Sequence, residues 1–339
     1  MKELFLRALL LVLSVLVCLF LLEGLTFVLN GALDFKHGHV SPGIGGKSAL
    51  EYPILFIKDP VLFWKMAPRK QDINSQGFRD REFSPEKEEG VYRIICMGDS
   101  ITFGWPTEID DTYPNTLERL LAERFPEKRF EVINAGVPGY TTFQGLLLLE
   151  NKIVGYDPDL LIIYYGVNDR ERAYRQDKDI PRPLPWIANL ENFLSRFSFY
   201  KLFNRMALRL RYPPGNVMVF SRVSPYNYQR NLKKMEALAS ERGIHTLFVV
   251  HPAFYDPREK TVFTDARYVA PRSLRQFDIA AFFKSMEEKA PTLFLDDIRP
   301  HNFHLTSDGQ RILAEGIFEF LVKNPFFLHA KPPGGTTKP

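Results

Sequence analysis

The sequence predicts a doubly wound α/β fold, a parallel five-stranded sheet with helices on both faces, preceded by one transmembrane helix. Three observations lead there. Short apolar runs alternate with amphipathic helical stretches between residues 93 and 322, the pattern of a parallel sheet covered on both faces. The first three apolar runs end in polar or glycine-rich turns, GDS at 98–100, NAGVPG at 134–139 and GVND at 166–169. An apolar run near the N-terminus is long enough to cross a bilayer.

That N-terminal run is apolar from Ala8 to Leu22 except at Ser14, and after Glu23 and Gly24 it continues through Leu29. Lys2 and Arg7 precede it, which predicts a cytoplasmic N-terminus and an extracytoplasmic location, periplasmic or cell-surface, for everything after residue 30. No small-x-small site follows it, and Val17 before Cys18 spoils a lipoprotein site, so the run reads as an uncleaved signal anchor. The chain then divides into the anchor (1–30), a stalk and wrapping segment (31–90), a main domain (91–325) with a helical insertion (170–226), and a disordered tail (326–339).

Within 31–90, GIGGKS (43–48) resembles a phosphate loop, but Ser41 stands where the first glycine belongs and no strand precedes it. His37 and His39 lack further ligands and read as solvated. NSQGFRD (74–80) has the look of a specific turn without an evident physical role. RIICMG (93–98) is the first strand, followed by a turn holding Ser100. Tyr113 to Phe125 carries Leu117, Leu120 and Leu121 at helical spacing. FEVINAGV (130–137) is the second strand and Thr142 to Val154 a helix. DLLIIYYGVND (159–169) is the most apolar strand, as a central strand buried on both faces requires. Asn231 to Arg242 is a helix leading into HTLFVVHP (245–252). A helix near Ile279 to Lys289 precedes TLFLDD (292–297), read as the fifth strand, and Asp308 to Val322 closes the domain.

The insertion contains WIANLENFLSRFSFYKLFNRMALRLR (186–211), aromatic, basic and amphipathic. It reads as a cap over the sheet, or as a surface resting on anionic lipid beside the anchor. The tail AKPPGGTTKP (330–339) has a disordered composition.

Net charge is only +4 and basic residues do not interleave with aromatics in the core segments, so no nucleic-acid partner is expected. Two cysteines, Cys18 and Cys96, support neither a disulfide framework nor a thiolate metal site.

In a doubly wound sheet the strand carboxyl ends share one edge, so Ser100, Gly139, Asn168 and His304 can converge there. Acyl transfer needs a nucleophile, a base, and donors aimed at the developing oxyanion. Ser100 supplies the first and His304 the second. The backbone N–H groups of Ser100 and Gly139 with the Asn168 amide supply the donors. Asp99 reads as a turn residue more readily than a participant, Asn134 as an Asx turn, and Asp169 as a cap of the segment that follows it. His251, ending the fourth strand, lines the substrate pocket or packs as a core histidine.

At these residues the chain resembles the SGNH hydrolases, the GDSL esterases and lipases. GDSITFG matches their first block, NAGVPGYTT (134–142) the second, GVND the third and HLTSDG (304–309) the last. The resemblance implies a flavodoxin-like sheet of order 2-1-3-4-5, with nucleophile, oxyanion glycine, oxyanion asparagine and base falling on Ser100, Gly139, Asn168 and His304. The family carries an acid three residues before its histidine, and here His301 holds that position. Either Asp297 or Asp296 replaces the acid, or the site runs as a Ser-His dyad. Asp297 is preferred, because an insertion over Ile298 to His301 accounts for the misfit. His301 with His304 makes a weak metal motif, and neither metal nor organic cofactor is expected.

The functional expectation is a membrane-anchored serine esterase acting on acylated small molecules, polysaccharide or lipid. Alternatives are an O-acyltransferase on the same scaffold and a non-catalytic carbohydrate-binding or assembly protein with a degenerate site.

Overall fold

Five parallel strands in register form the centre of the computed structural model, which describes residues 2–36, 56–211, 218–250, 252–295 and 303–329. In chain order the elements are α1 (Lys2–Lys36), β1 (Phe56–Asp59), β2 (Phe63–Met66), β3 (Val91–Gly98), α2 (Ser100–Phe103), α3 (Tyr113–Arg124), β4 (Arg129–Gly136), α4 (Thr142–Asn151), β5 (Leu160–Tyr164) and β6 (Arg172–Ala173). There follow α5 (Pro185–Leu194), α6 (Ser198–Arg211), β7 (Phe220–Ser221), α7 (Pro225–Ser240), β8 (His245–Val250), β9 (Phe254–Asp256), β10 (Thr261–Phe263), β11 (Gln276–Asp278), α8 (Ile279–Lys284), α9 (Ala290–Leu293) and α10 (Ser307–Lys323).

The main sheet runs β4-β3-β5-β8-β11, which counted along the chain is the expected order 2-1-3-4-5. Gly98 of β3 pairs with Gly136 of β4 on one side and Tyr164 of β5 on the other. The first three strands therefore end at one level, and the turns that follow them open on one edge. β5 is buried at every position, the reason its sequence is apolar without alternation.

The fifth strand differs from the expectation. It is Gln276–Asp278, paired with Phe248–Val250 of β8, and it precedes the helix expected before it. The stretch read as that strand begins inside α9, which has Pro291 in its first turn. Its apolar residues Leu293 and Phe294 are buried in the core, a requirement that a strand and a short helix meet equally well. Between β8 and β11 stands an antiparallel β9–β10 hairpin instead of a helix. α7 begins six residues before its expected start, with Ser224 as N-cap accepting from Asn227 N and Pro225 in the first turn. The assignment of 326–339 as disordered is corrected at its start: Pro325–Leu328 form a 3₁₀ turn, with Phe327 and Leu328 buried against the core. Residues 330–339, His37, His39 and GIGGKS lie outside the described residues.

Contacts divide the chain into two compact units, residues 1–64 with 182–217 and residues 65–181 with 218–339. The insertion helices thus group with the N-terminal helix, and residues 65–90 group with the sheet. In the first unit, Lys58 and Asn192 exchange hydrogen bonds (Lys58 N to Asn192 Oδ1 2.7 Å, Asn192 Nδ2 to Lys58 O 2.9 Å). Its α1 contains one segment, Lys2–Phe27, long and apolar enough to cross a membrane; a signal sequence meets the same criterion.

In the sheet unit, α2 rests directly on the strand ends. A methyl group added at Gly136 would lie 2.2 Å from the backbone N of Phe103, and one at Gly98 would lie 1.9 Å from Thr102 Oγ1. Backbone cannot retreat as a flexible side chain can, so Gly136→Ala should cost about 1–3 kcal/mol as an overpacking substitution. A lowered midpoint in denaturant unfolding, with an unchanged far-ultraviolet spectrum at low denaturant, is the expected outcome.

Candidate active site

Ser100 is the first residue of α2, which opens as soon as β3 ends. Asp99 caps the helix, its carboxylate accepting from Ile101 N at 2.9 Å. Gly104 ends it in the left-handed conformation at φ 82°, where a side chain would be strained, and returns its N–H to Ser100 O and Ile101 O. The one-turn helix fixes the Ser100 hydroxyl at the sheet edge. Across that edge, from the segment before α10, comes His304, with Ser100 Oγ to His304 Nε2 at 2.9 Å. Both residues are buried.

The other two strand ends meet through Asn168. Its side-chain amide donates to Asp99 Oδ2 at 3.2 Å and to Tyr140 O at 3.0 Å, joining the turn after β3, the turn after β4 and the turn after β5. Asp99 is thus both a helix cap and a partner of Asn168. Gly139, beside Tyr140, adopts φ 79°. Its carbonyl accepts from Arg222 Nη1 at 2.7 Å. Asn134 makes the expected Asx turn, accepting from Gly136 N at 3.0 Å. Asp169 caps a different element from the one expected: it accepts from the backbone N and the hydroxyl of Thr142 at the start of α4.

Several residues that hold this edge carried no readable signal. Arg222 is buried and pairs with Asp177 through Nε at 3.2 Å and Nη2 at 3.0 Å, while Nη2 also reaches Gln144 Oε1 at 3.0 Å. These partners lie 45 and 78 positions away, so no local pattern announces them. Burial opposes the Arg222 charge, but Asp177 and Glu171 outweigh it and raise its pKa further. Gln310 of α10 donates to Ile101 O at 2.9 Å and accepts from Tyr113 N at 3.0 Å, bracing α2 against α3.

The NSQGFRD turn now has a physical account. Asn74 Oδ1 accepts from Gln76 N and Phe78 N, both at 3.0 Å, and Gly77 turns at φ 81°. The turn thrusts Arg79 beneath α2, where its guanidinium donates to the carbonyls of Phe103 (3.1 Å), Gly104 (3.0 Å) and Thr107 (2.7 Å). The Phe103 carbonyl belongs to the last turn of α2, where carbonyls lack an intrahelical donor, and the cation supplies one while also tying down the turn to Thr107. Asp80 accepts from Asn134 N at 2.7 Å.

Asp296, Asp297, His301 and His251 lie outside the described residues. Leu295, two positions before Asp297, donates its backbone N–H to His304 O at 2.9 Å. Among the described residues, no group of three or more His, Cys, Asp or Glu side chains is arranged to hold a metal ion.

Burial dominates the electrostatics of the edge. It raises Asp99 to about 7 and Asp169 to about 7 against the hydrogen bonds that favour their ionised forms. An unfolded aspartate titrates near ~3.9. Between those values the folded chain holds protons that the unfolded chain has released, so stability from these groups is complete below the unfolded value and is lost as pH rises to about 7. Asn cannot titrate. The stability of the parent chain relative to Asp99→Asn should therefore fall from about pH 4 to pH 7 and level off above, as read by urea unfolding of both proteins across pH.

The GDSL-like Lipase/Acylhydrolase family matches residues 96–312. An arylesterase of Vibrio mimicus is 32% identical over 123 residues, 36% of this chain and 56% of that protein, so the chain spans little more than half the length of this relative. Among solved structures, a lipase/acylhydrolase from Enterococcus faecalis shares 17% identity over 68% of this chain and 96% of its own, with a TM-score of 0.43. A catalytic mutant of an acetylxylan esterase from Geobacillus stearothermophilus shares 14% over 67% and 93%, also at 0.43. The family match spans β3 to α10, with Ser100 and His304 inside it, and on it the chain belongs to the GDSL-like lipase/acylhydrolase family of ester-bond hydrolases.

Proposed function

We propose that the protein is a membrane-anchored, extracytoplasmic serine esterase that cleaves O-acyl groups, or transfers them to an acceptor hydroxyl, through an acyl-enzyme on Ser100. The observation that carries this reading is the 2.9 Å contact between Ser100 Oγ and His304 Nε2, within hydrogen-bond reach for a nucleophile and its base.

In the proposed reaction Ser100 Oγ bonds to the acyl carbon while its proton passes to His304 Nε2. The carbonyl oxygen becomes an oxyanion held by the N–H groups of Ser100 and Gly139 and by the Asn168 amide. In the resting state that amide is shared between Asp99 and Tyr140 O, and the longer contact, to Asp99, is the one that yields to substrate. Collapse breaks the ester C–O bond, and His304 returns its proton to the leaving oxygen. Water, or an acceptor hydroxyl, then reverses the sequence and frees Ser100. No metal or organic cofactor takes part in this scheme.

Asp297 is the proposed partner of His304 Nδ1, holding the tautomer that leaves Nε2 free to accept. The Leu295–His304 backbone bond supports it, since two further residues reach at most ~7 Å. Anchoring by the Lys2–Phe27 segment would present the site to envelope or exopolysaccharide O-acyl groups or to lipid esters. The substrate class rests on that location.

An aryl acetate and a fluorophosphonate probe test the reading on the full chain. The parent protein should react with both, and Ser100→Ala with neither; labelling that persists in folded Ser100→Ala would refute it. Asn168→Ala should lower the turnover number about 100- to 1,000-fold, the effect of losing one oxyanion donor.

The orienting acid has its own test. Asp297→Asn should slow ester cleavage far more than His301→Ala does. The reverse ranking, measured on the same aryl ester, would assign the role to another group.

A further inference from the structure

The two insertion helices carry an arrangement that ester chemistry does not use. In α5, Trp186, Leu190 and Phe193 recur at i, i+4 and i+7; in α6, Phe203, Met206 and Leu210 recur at i, i+3 and i+7. Each set forms a stripe along one helix face. All six side chains are between 45% and 83% exposed, where a soluble helix would bury such a stripe. Residues 182–211 contain six basic residues, Arg182, Arg196, Lys201, Arg205, Arg209 and Arg211, and one acidic residue, Glu191. Glu191 is engaged by Lys58 at 2.6 Å. Two exposed apolar stripes in a segment whose charge is almost wholly positive fit the interface of an anionic bilayer.

The height of these helices along α1 supports the same occupant. Glu23 accepts from Ser198 N at 2.7 Å through both carboxylate oxygens and from Phe199 N at 3.2 Å. A carboxylate thereby caps the N-terminus of α6, which both the free N–H groups and the helix dipole favour. At 1.5 Å per residue, Glu23 stands ~22 Å along α1 from Ala8, where the apolar run begins. The hydrocarbon core is ~30 Å thick. The described side chains from Leu4 to Leu22 are exposed, whereas Glu23 is half-buried and Thr26 buried. Protein cover on α1 therefore begins, at Glu23 and Thr26, ~8 Å inside the far face of the hydrocarbon, a depth that the apolar face of an interfacial helix reaches.

We propose that α5 and α6 form a collar that lies in the interface of an anionic lipid leaflet, its two apolar stripes in the acyl boundary and Arg196 and Lys201 among the phosphate headgroups. The collar rests on the anchor reading of α1. A second copy of this chain is the poorer occupant, because it would oppose one strongly basic segment to another.

The test uses the full chain, with Cys18→Ser removing the exposed thiol, reconstituted in vesicles of phosphatidylcholine alone or with phosphatidylglycerol. An environment-sensitive fluorophore is placed at Leu190→Cys or Met206→Cys. In anionic vesicles both labels should be quenched by a lipid-borne quencher and shielded from aqueous iodide. Arg196→Gln with Lys201→Gln should lower the ratio of docked to undocked label about 25-fold, roughly fivefold per charge removed. Labels open to iodide in vesicles with which the chain co-floats would overturn the collar while leaving the anchor standing. Shielding without lipid quenching would assign the face to a protein partner and overturn it equally. A chain that does not float with vesicles would overturn anchor and collar together, and aryl-ester hydrolysis reads the esterase proposal separately.

Discussion

In-register parallel pairing of β3 with both β4 and β5 is the constraint on which the remainder of the site depends. Because Gly98, Gly136 and Tyr164 stand at one level, the three turns beyond them open on the same edge of the sheet. A slip of one residue would also turn every side chain of the slipped strand to the opposite face of the sheet, against neighbours it is not packed to meet. The absence of side chains at Gly98 and Gly136 then lets α2 settle on the strand ends. Ser100 reaches His304 because helix, strand and last loop are all referred to this one level.

Around the serine, backbone groups are held by buried charge. Arg79 satisfies carbonyls at the end of α2, Arg222 holds the Gly139 carbonyl, and Asp169 holds the start of α4. Removing one partner of such a pair exposes the other to the full cost of burial, so the clamps specify a geometry as much as they stabilise it. Two aspartates raised to about 7 are consistent with this: the edge is dry enough that ionisation is opposed even where hydrogen bonds favour it.

The chain also divides its labour between two compact units. One contains the sheet and the candidate chemistry; the other unites α1 with the aromatic, basic insertion helices through the Glu23 cap. The insertion interrupts the sheet unit between Pro181 and Met218 and closes again where β6 pairs with β7. A long excursion costs little extra loop entropy when its ends are paired.

Much of the architecture was legible in the chain itself. The first four strands, the flanking helices and the residues Ser100, Asn168 and His304 stood out because burial on both faces and turn chemistry leave local patterns that a reader can count. The fifth strand did not: Gln276, Phe277 and Asp278 are too few and too polar to signal a strand, and they take that role because the edge of β8 is open to them. The NSQGFRD turn was visible only as a turn. Its role under α2, like the pairing of Arg222 with Asp177 and Gly139, arises from contacts between positions 24 to 83 residues apart. Local sequence determined the first four strands of the sheet, most of its helices and the turns that carry the site, since propensity and periodicity act over a few residues. Tertiary structure decided which buried charges hold which backbone groups, because those contacts exist only once the chain has brought distant positions together.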